Sequence, residues 1–299
     1  MIPNRRFGII RANKALLPIV AILLVVQLIT GASARAATKT FTLTAEDKRV
    51  SIGLGLSYDA WTFSGSVPGP VLRVRQGDQV TIHLLDHTSM AHGIDTHAAQ
   101  IAPDAFAATS GGKELTYSFR AEVPGVFAYH CSAIPMLVHI ANGMYGMMIV
   151  DPRQGWPKAQ EVMIVQGEFY GTPDKDGLVA GDSRKMMAEQ AEFVVFNGAV
   201  NKYVDAPITI KVGRPVRIFF VNAGPNLSST FHVIGVIFST VYRGGNPADP
   251  LHDVVSFDVG PGQGAIFEFT VHQPGDYTFI DHSMAHVLRG AKGVFHAVP

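Results

Sequence analysis

Residues 129–144 read YHCSAIPMLVHIANGM, and they contain the only cysteine of the chain, Cys131. His139 and Met144 follow Cys131 within this stretch. A single cysteine is often just a small buried apolar residue. A thiolate, an imidazole and a thioether gathered at a strand end and its following loop, however, suit a mononuclear electron-transfer copper site. Such a site needs a second imidazole, and we predict that His92 provides it.

His130 directly precedes Cys131, and this pairing predicts a second metal site. Neighbouring residues of a strand face opposite sides, so His130 points away from a metal that Cys131 binds. We assign His97 to the second site together with His130. Because catalytic metals typically keep three protein ligands and one open position, a third ligand is needed. It is expected to be His232 or His282 from the second half of the chain, supplied within one chain or by another subunit.

The first 36 residues have the features of a secretory signal peptide. Basic residues precede an apolar run over residues 16–29, and the small-x-small sequence Ala34-Arg35-Ala36 follows. We predict cleavage after Ala36 and a periplasmic or otherwise exported protein. Arg5-Arg6-Phe7 resembles a twin-arginine signal, and the sequence leaves the choice between the Sec and twin-arginine routes open. An uncleaved membrane anchor is the alternative, although the apolar run is short for a full span. An exported chain with one cysteine forms no internal disulfide, so its thiol must be buried, reactive or metal-bound.

The composition favours an all-β protein that does not bind nucleic acid. Lysine plus arginine and aspartate plus glutamate both number 24, so the formal net charge is zero, which argues against a polyanionic partner. The 30 glycines and 18 prolines indicate many turns. Short β-rich runs such as Val80–Leu84 and Leu115–Phe119 lie between these turns. The best candidate for a short helix is Arg184–Glu192.

The two halves of the chain resemble each other. Phe119–His130, with Pro-Gly inside, parallels Phe269–His282, and residues 76–82 parallel residues 212–218 in the same order. This predicts one β-sandwich duplicated in tandem, with domains at 39–152 and 158–299 and a linker rich in proline and glycine between them. The second copy has no cysteine, so it cannot hold a thiolate-bound copper.

Several motifs together give the chain a specific resemblance. They are the segments 129–131, 139–146, 194–198, 231–235 and 281–283. In these motifs the chain resembles the copper-containing nitrite reductases over essentially all of residues 39–299. The resemblance implies two cupredoxin domains per subunit, two copper ions per subunit, assembly as a homotrimer, and a role in periplasmic denitrification.

The resemblance also implies a role for each candidate residue. The type 1 copper ligands would be His92, Cys131, His139 and Met144. The type 2 copper ligands would be His97, His130 and His282, with His282 coming from a neighbouring subunit. Asp95 and His232 would bind and protonate nitrite, and Ile234 would crowd the substrate over the copper.

The reaction that the resemblance implies is the one-electron reduction of nitrite to nitric oxide and water. The electron donor would be a small cytochrome c or cupredoxin. Residues 98–106 replace the glycine-rich stretch often found after the second histidine, and residues 132–138 lack a glycine often found there, so substrate and donor stay open. The alternatives are a related two-domain multicopper oxidase with another substrate and a non-catalytic blue-copper carrier. A laccase-type oxidase is unlike this chain, which has no His-x-His motif. The remaining histidines receive no role: His83, His87, His252, His272, His286 and His296.

Overall fold

The computed structural model describes residues 36–299, so the predicted signal peptide lies, apart from Ala36, outside the described residues. The first sandwich contains β1 (Thr38–Gly53), β2 (Leu56–Phe63), β3 (Leu72–Arg75), β4 (Gln79–Asp86), β5 (Asp95–Thr96), β6 (Glu114–Arg120), β7 (Gly125–His130) and β8 (Tyr145–Asp151). A short 3₁₀ helix (Pro103–Phe106) and helix α1 (Met136–Ala141) interrupt these strands.

The rest of the chain supplies twelve further strands and three short helices. The strands are β9 (Gln160–Phe169), β10 (Leu178–Val179), β11 (Phe193–Phe196), β12 (Ala206–Lys211), β13 (Val216–Asn222), β14 (Ser229–Val233), β15 (Phe238–Arg243), β16 (Pro250–Val254), β17 (Ser256–Val259), β18 (Gln263–Phe269), β19 (Gly275–Asp281) and β20 (Lys292–Val298). The helices are α2 (Ser183–Met187), α3 (Lys202–Asp205) and α4 (Met284–Leu288).

The two sandwiches share one topology. The first pairs sheet β10-β2-β1-β4-β6 with sheet β3-β8-β7-β5, and the second pairs β11-β9-β13-β18-β15-β16 with β12-β20-β19-β14-β17. The parallel neighbours β1/β4 and β3/β8 correspond to the parallel neighbours β9/β13 and β12/β20. The expected duplicated all-β fold is therefore confirmed. One strand crosses between the halves, because β10 adds to the first sandwich along β2.

Strand burial follows from the alternation of apolar and polar residues. In β4 the apolar residues Val80, Ile82 and Leu84 are fully buried, whereas the intervening residues are exposed or half-buried. Strand β13 has every residue buried, because one of its faces fills the second sandwich and the other packs on the first. A strand buried on both faces need not alternate between apolar and polar residues, and five of the seven residues of β13 are apolar.

The two sandwiches share an apolar interface. It is formed by Val126, Ala128, Tyr145, Met147 and Ile149 of the first and by Val165, Phe219, Val221, Ala223 and Ile266 of the second. At its edge Arg73 donates to Asp151 (2.8 Å) and to Glu161 (2.6 Å). The Arg73 guanidinium also lies 5.1 Å from the centre of the Phe219 ring. Ion pairs thus border a core that joins the two halves.

Phe219→Ala is expected to destabilise the joined sandwiches by about 3–5 kcal/mol, because it removes a fully buried ring from this interface and leaves a cavity. Urea unfolding followed by tryptophan fluorescence measures the change. Val255→Ala serves as the control, since Val255 is 54% exposed and its truncation is expected to stay within about 0.5 kcal/mol. Equal midpoints for both variants would show that the interface contributes no stability.

The helices are short and lie in the connections between strands. Helix α2 covers part of the helix expected over Arg184–Glu192, and the Asp182 side chain caps it by accepting from the Arg184 and Lys185 amides. Helix α1 lies between Cys131 and Met144. None of the helices within residues 36–299 has the length and apolar character needed to cross a bilayer.

Candidate metal centres

Three predicted ligands meet at the end of β7. Cys131 directly follows this strand, His139 lies in the last turn of α1, and His92 lies in the connection before β5. The Cys131 Sγ atom is 3.7 Å from His92 Nδ1 and 3.4 Å from His139 Nδ1, and the two Nδ1 atoms are 3.2 Å apart. We call this group the cysteine cluster.

The cysteine cluster is buried, and burial keeps its groups uncharged. All three side chains are buried. Burial lowers the pKa of His92, and it lowers the pKa of His139 to about 4, with the neighbouring His92 adding to the effect. Burial also raises the pKa of the Cys131 thiol, partly opposed by backbone amides. Both imidazoles are therefore neutral near pH 7, with lone pairs available for a metal.

The backbone brings Met144 to the same place. The Cys131 amide donates to the Met144 carbonyl (3.0 Å), and the Met144 amide donates to the His139 carbonyl (3.2 Å). Met144 is fully buried. The Ala133 amide donates to Cys131 Sγ (3.5 Å), a contact that favours a thiolate. A soft sulfur and two imidazole nitrogens converging with a buried methionine beside them fit a copper ion.

Asp95, His97 and His130 form a second group, which we call the histidine cluster. Their potential ligand atoms all lie within 4.8 Å of one another. Asp95 and His130 face each other as partners of β5 and β7. His130 is the residue next to Cys131, so the two clusters are separated by one peptide bond. The expectation that strand neighbours point to different clusters thus agrees with the observed geometry.

Hydrogen bonds fix the tautomers of both histidines in the histidine cluster. His97 Nδ1 donates to the Gly262 carbonyl (3.0 Å), and His130 Nδ1 donates to the Cys131 carbonyl (3.0 Å). In neutral rings this leaves Nε2 as a lone pair on each, and the two Nε2 atoms lie 3.0 Å apart. Two facing lone pairs repel each other unless a cation lies at both of them. Burial also lowers the pKa of His130, which disfavours a proton as that cation. The donors therefore fit a metal ion.

The remaining predicted site residues lie in the second sandwich, and they are His232, Ile234 and His282. The His232 and His282 rings lie 5.5 Å apart, and His232 Nδ1 donates to the Val255 carbonyl (2.7 Å). His282 is exposed, and Ile234 is 52% exposed. Within residues 36–299, His282 joins neither the cysteine cluster nor the histidine cluster.

Comparison with known proteins agrees with this arrangement. A multicopper oxidase family model matches residues 44–155, and a second multicopper oxidase model matches residues 172–299. A copper nitrite reductase from Nitrosomonas europaea superposes with a TM-score of 0.82 at 39% identity, over 88% of this chain and 94% of that one. The chain belongs to the copper-containing nitrite reductase family. This family membership agrees with the ligand atoms of the cysteine cluster and the histidine cluster, which suit copper.

Two further proteins named copper-containing nitrite reductase also match this chain, and the match covers only part of each of them. The Neisseria gonorrhoeae protein of this name is 44% identical over 257 residues, which cover 83% of this chain and 65% of that protein. The Pseudomonas chlororaphis protein of this name is 32% identical over 274 residues, covering 83% of this chain and 75% of that protein. The chain therefore spans less than two thirds of the length of the Neisseria relative.

Some residues that support the candidate site residues gave no recognisable signal in the sequence. The Trp61 ring lies 4.9 Å from the His139 ring, between ring centres, and it covers one side of the cysteine cluster. Gly262 orients His97 through its backbone carbonyl, so its side chain carries no information about the contact. His286 received no role, yet its Nδ1 donates to the buried Asp281 carboxylate (2.6 Å). Only the folded backbone brings these partners together.

Proposed function

We propose that the chain is an exported copper-dependent oxidoreductase that reduces nitrite to nitric oxide and water with one electron and two protons. The observation that supports this most directly is the peptide bond between His130 and Cys131. It joins a buried cluster suited to electron transfer to a half-exposed cluster that carries a carboxylate. A carrier of electrons needs only the first cluster. A reductase needs both, together with a source of protons.

We assign the proposed metal ligands as follows. The type 1 copper would be held by His92, Cys131, His139 and Met144. The type 2 copper would be held by His97, His130 and the neighbouring subunit's copy of His282. When bound, these ions supply one-electron transfer at the cysteine cluster and Lewis-acid activation of nitrite at the histidine cluster.

The chain itself provides the electron path between the clusters. Cys131 and His130 are linked covalently, and the Cys131 carbonyl accepts a hydrogen bond from His130 Nδ1 (3.0 Å). This contact holds the imidazole of one cluster against the backbone of the other. Ile134 (89% exposed) lies in the loop after Cys131, and Met136 (47% exposed) begins helix α1. We propose that a small periplasmic cytochrome c or cupredoxin delivers the electron near this apolar surface.

Asp95 and His232 are the proposed proton donors. Asp95 lies beside the His97 and His130 nitrogens without belonging to the proposed copper ligands. His232 donates from Nδ1 to the Val255 carbonyl, so its Nε2 is free to exchange a proton with substrate. In their protonated forms, the Asp95 carboxyl group and the His232 imidazolium would each give one proton to bound nitrite, and these two protons release one oxygen as water.

Assembly of copies of the chain completes the proposed site. Each subunit, divided as we propose into domains 39–152 and 158–299, carries the histidine cluster on one domain. The other domain carries half-buried His232 and exposed His282. Two different surfaces that fit each other form a head-to-tail contact, and such contacts close into a ring when the rotation between neighbouring copies divides a full turn. In the proposed homotrimer, Ile234 of one subunit would restrict the space above the histidine cluster of the next.

Asp95→Asn and His232→Asn are each expected to lower nitrite turnover by about 10²–10⁴-fold, the usual contribution of general acid catalysis. Both variants should keep the copper content of the parent, because neither residue is a proposed ligand. Asparagine at 232 retains a donor at the position of Nδ1 and lacks Nε2. Asp104→Asn, in the 3₁₀ helix, is the control. Unchanged turnover with full copper would exclude the proton-donor role.

Nitric oxide release by copper-loaded protein tests the proposed function. With a reduced dye as donor and oxygen excluded, we expect one nitric oxide per electron consumed, measured by a nitric oxide electrode. Two bound copper ions without any oxidation of the dye by nitrite would contradict the proposal. If the protein then accelerates oxidation of the dye by oxygen above the rate without protein, the related multicopper oxidase is supported instead.

A further inference from the structure

The second sandwich retains the backbone of the cysteine cluster without its ligands. In the first sandwich the Cys131 amide donates to Met144, and the Met144 amide donates to His139. In the second, the Asp281 amide donates to the Ala291 carbonyl (3.1 Å) and the Ala291 amide donates to the His286 carbonyl (3.0 Å). Gly143 precedes Met144 and Gly290 precedes Ala291, and both glycines have a φ of 115°. Asp281, His286 and Ala291 thus occupy the places of Cys131, His139 and Met144.

The strand register identifies the fourth equivalent position. Asp95 pairs with His130 in the first sandwich, and His232 pairs with Ile280 in the second. His130 directly precedes Cys131, and Ile280 directly precedes Asp281, so His130 and Ile280 are equivalent. Their strand partners, Asp95 and His232, are therefore equivalent as well. Counting back along each chain segment then places Ser229 at the position of His92. The proposed proton donors are therefore equivalent residues of the two sandwiches.

A hydrogen-bond network fills the equivalent site in the second sandwich. One oxygen of the buried Asp281 carboxylate accepts from the Gln166 side chain (3.1 Å) and from His286 Nδ1 (2.6 Å). The other oxygen accepts from the amides of Thr230 and Ser283, both at 3.1 Å. Gln166 in turn accepts from the Ser229 hydroxyl (2.7 Å). We call the side chains of Gln166, Ser229, Asp281 and His286 the Asp281 network.

The Asp281 network is suited to fixing backbone and not to binding a metal. Each carboxylate oxygen already accepts two hydrogen bonds, so no lone pair is directed at an empty position. A buried carboxylate is stable only when such donors replace its hydration. Two of the four donors are the backbone amides of Thr230 and Ser283, and Ser283 directly follows His282. The His282 amide donates to the Thr230 carbonyl (2.7 Å).

His282 therefore extends from backbone that the Asp281 network holds on both sides. Its own side chain is exposed, so little else within the chain restrains it. An exposed ligand loses conformational entropy when a metal binds, and a fixed backbone reduces that loss. His286 acts on His282 only through Asp281 and the amides of Thr230 and Ser283.

We propose that the Asp281 network, which fills the place equivalent to the cysteine cluster, positions His282 for the type 2 copper, with Asp281 and His286 as positioning residues. This inference rests on the proposed function, in which His282 completes the histidine cluster of the next subunit. Loss of His286 would free the carboxylate and loosen the backbone that carries His282. The cysteine cluster, on the other sandwich, would keep its geometry.

The test compares His286→Leu with His286→Asn in the copper-loaded oligomer. Asparagine keeps a donor at the position of Nδ1, whereas leucine removes it. We expect His286→Leu to weaken retention of the type 2 copper about 10-fold in a chelator titration, the lower end of the effect of removing a direct partner of a metal ligand, because His286 acts on His282 through Asp281. Its type 2 electron paramagnetic resonance signal should also change, while the visible absorption of the type 1 site stays as in the parent. His286→Asn should restore most of the retention.

His296→Leu is the matched control, because His296 Nδ1 also lies 2.6 Å from an aspartate of β19, Asp276, on the exposed surface. It should leave copper retention unchanged. A lower unfolding temperature of His286→Leu with parental copper retention and an unchanged type 2 signal would overturn the inference, since the network would then be merely structural. A parent protein that lacks the His282-dependent copper would overturn the proposed function first, and the inference with it.

Discussion

Cys131→Ala is expected to remove the visible absorption of copper-loaded protein and to lower nitrite turnover by more than ~100-fold, beyond the usual effect of losing a partner of a ligand. The sulfur is the one soft donor among the cysteine and histidine ligands, and the band arises from charge transfer between sulfur and copper. Cys131 also carries the proposed electron path, because it is covalently joined to His130. Absorption spectra and copper per chain, measured together, give the result.

The control for Cys131→Ala is Met147→Leu, which removes a buried sulfur from the interface between the sandwiches and leaves the apolar core that contains Cys131 unchanged. It should keep both the band and the turnover. In Cys131→Ala the type 2 copper should remain bound, because Asp95, His97 and His130 belong to the other cluster. A visible band that survives the loss of Cys131 would show that the proposed type 1 ligands are wrong.

His282→Ala is expected to have the opposite spectroscopic result. The type 1 band should stay, while the type 2 copper is lost and nitrite turnover falls by more than ~100-fold. The physical reason is that His97 and His130 alone provide only two imidazoles, one fewer than a catalytic metal usually has. Copper content and electron paramagnetic resonance distinguish the two sites.

The matched control for His282→Ala is His252→Ala. His252 is also an exposed histidine of the second sandwich, and its Nδ1 contacts the Ser239 carbonyl (3.2 Å). This variant should keep both copper ions and full turnover. Loss of colour in His282→Ala would contradict the division of ligands between the two sites.

Local patterns in the sequence were sufficient to predict the architecture. Alternation in segments such as Val80–Leu84 reports burial directly, because a strand between core and solvent has a period of two. The repeated segments predicted the duplication, which the matching sheet orders confirm. Helix α1 has only six residues, and it was not predicted because one turn and a half leaves no periodicity to read. The pairing of β10 with β2 was not predicted either, since a two-residue strand carries no pattern.

The candidate site was predictable where ligands lie close in sequence. Cys131 directly follows β7 and His139 lies in α1 only eight residues later, so their meeting follows from local geometry. The support of His97 by Gly262 joins residues 165 positions apart, and only tertiary folding creates it. Asp281 and His286 are close in sequence, but their importance depends on the comparison of two folded sandwiches. A carboxylate and a histidine near each other are otherwise common surface residues.

Nitrite turnover by co-expressed His97→Ala and His282→Ala chains tests the shared site most directly. Each variant alone should be inactive, whereas mixed oligomers recover sites with His97 from one subunit and His282 from the next. Random assortment of equal amounts should restore about a quarter of the parental turnover, because each site takes one surface from each of two neighbours. Co-expressed His97→Ala and His130→Ala, altered on the same surface, should recover none. Equal lack of activity in both mixtures, with oligomers shown to be mixed, would contradict a catalytic site shared between subunits.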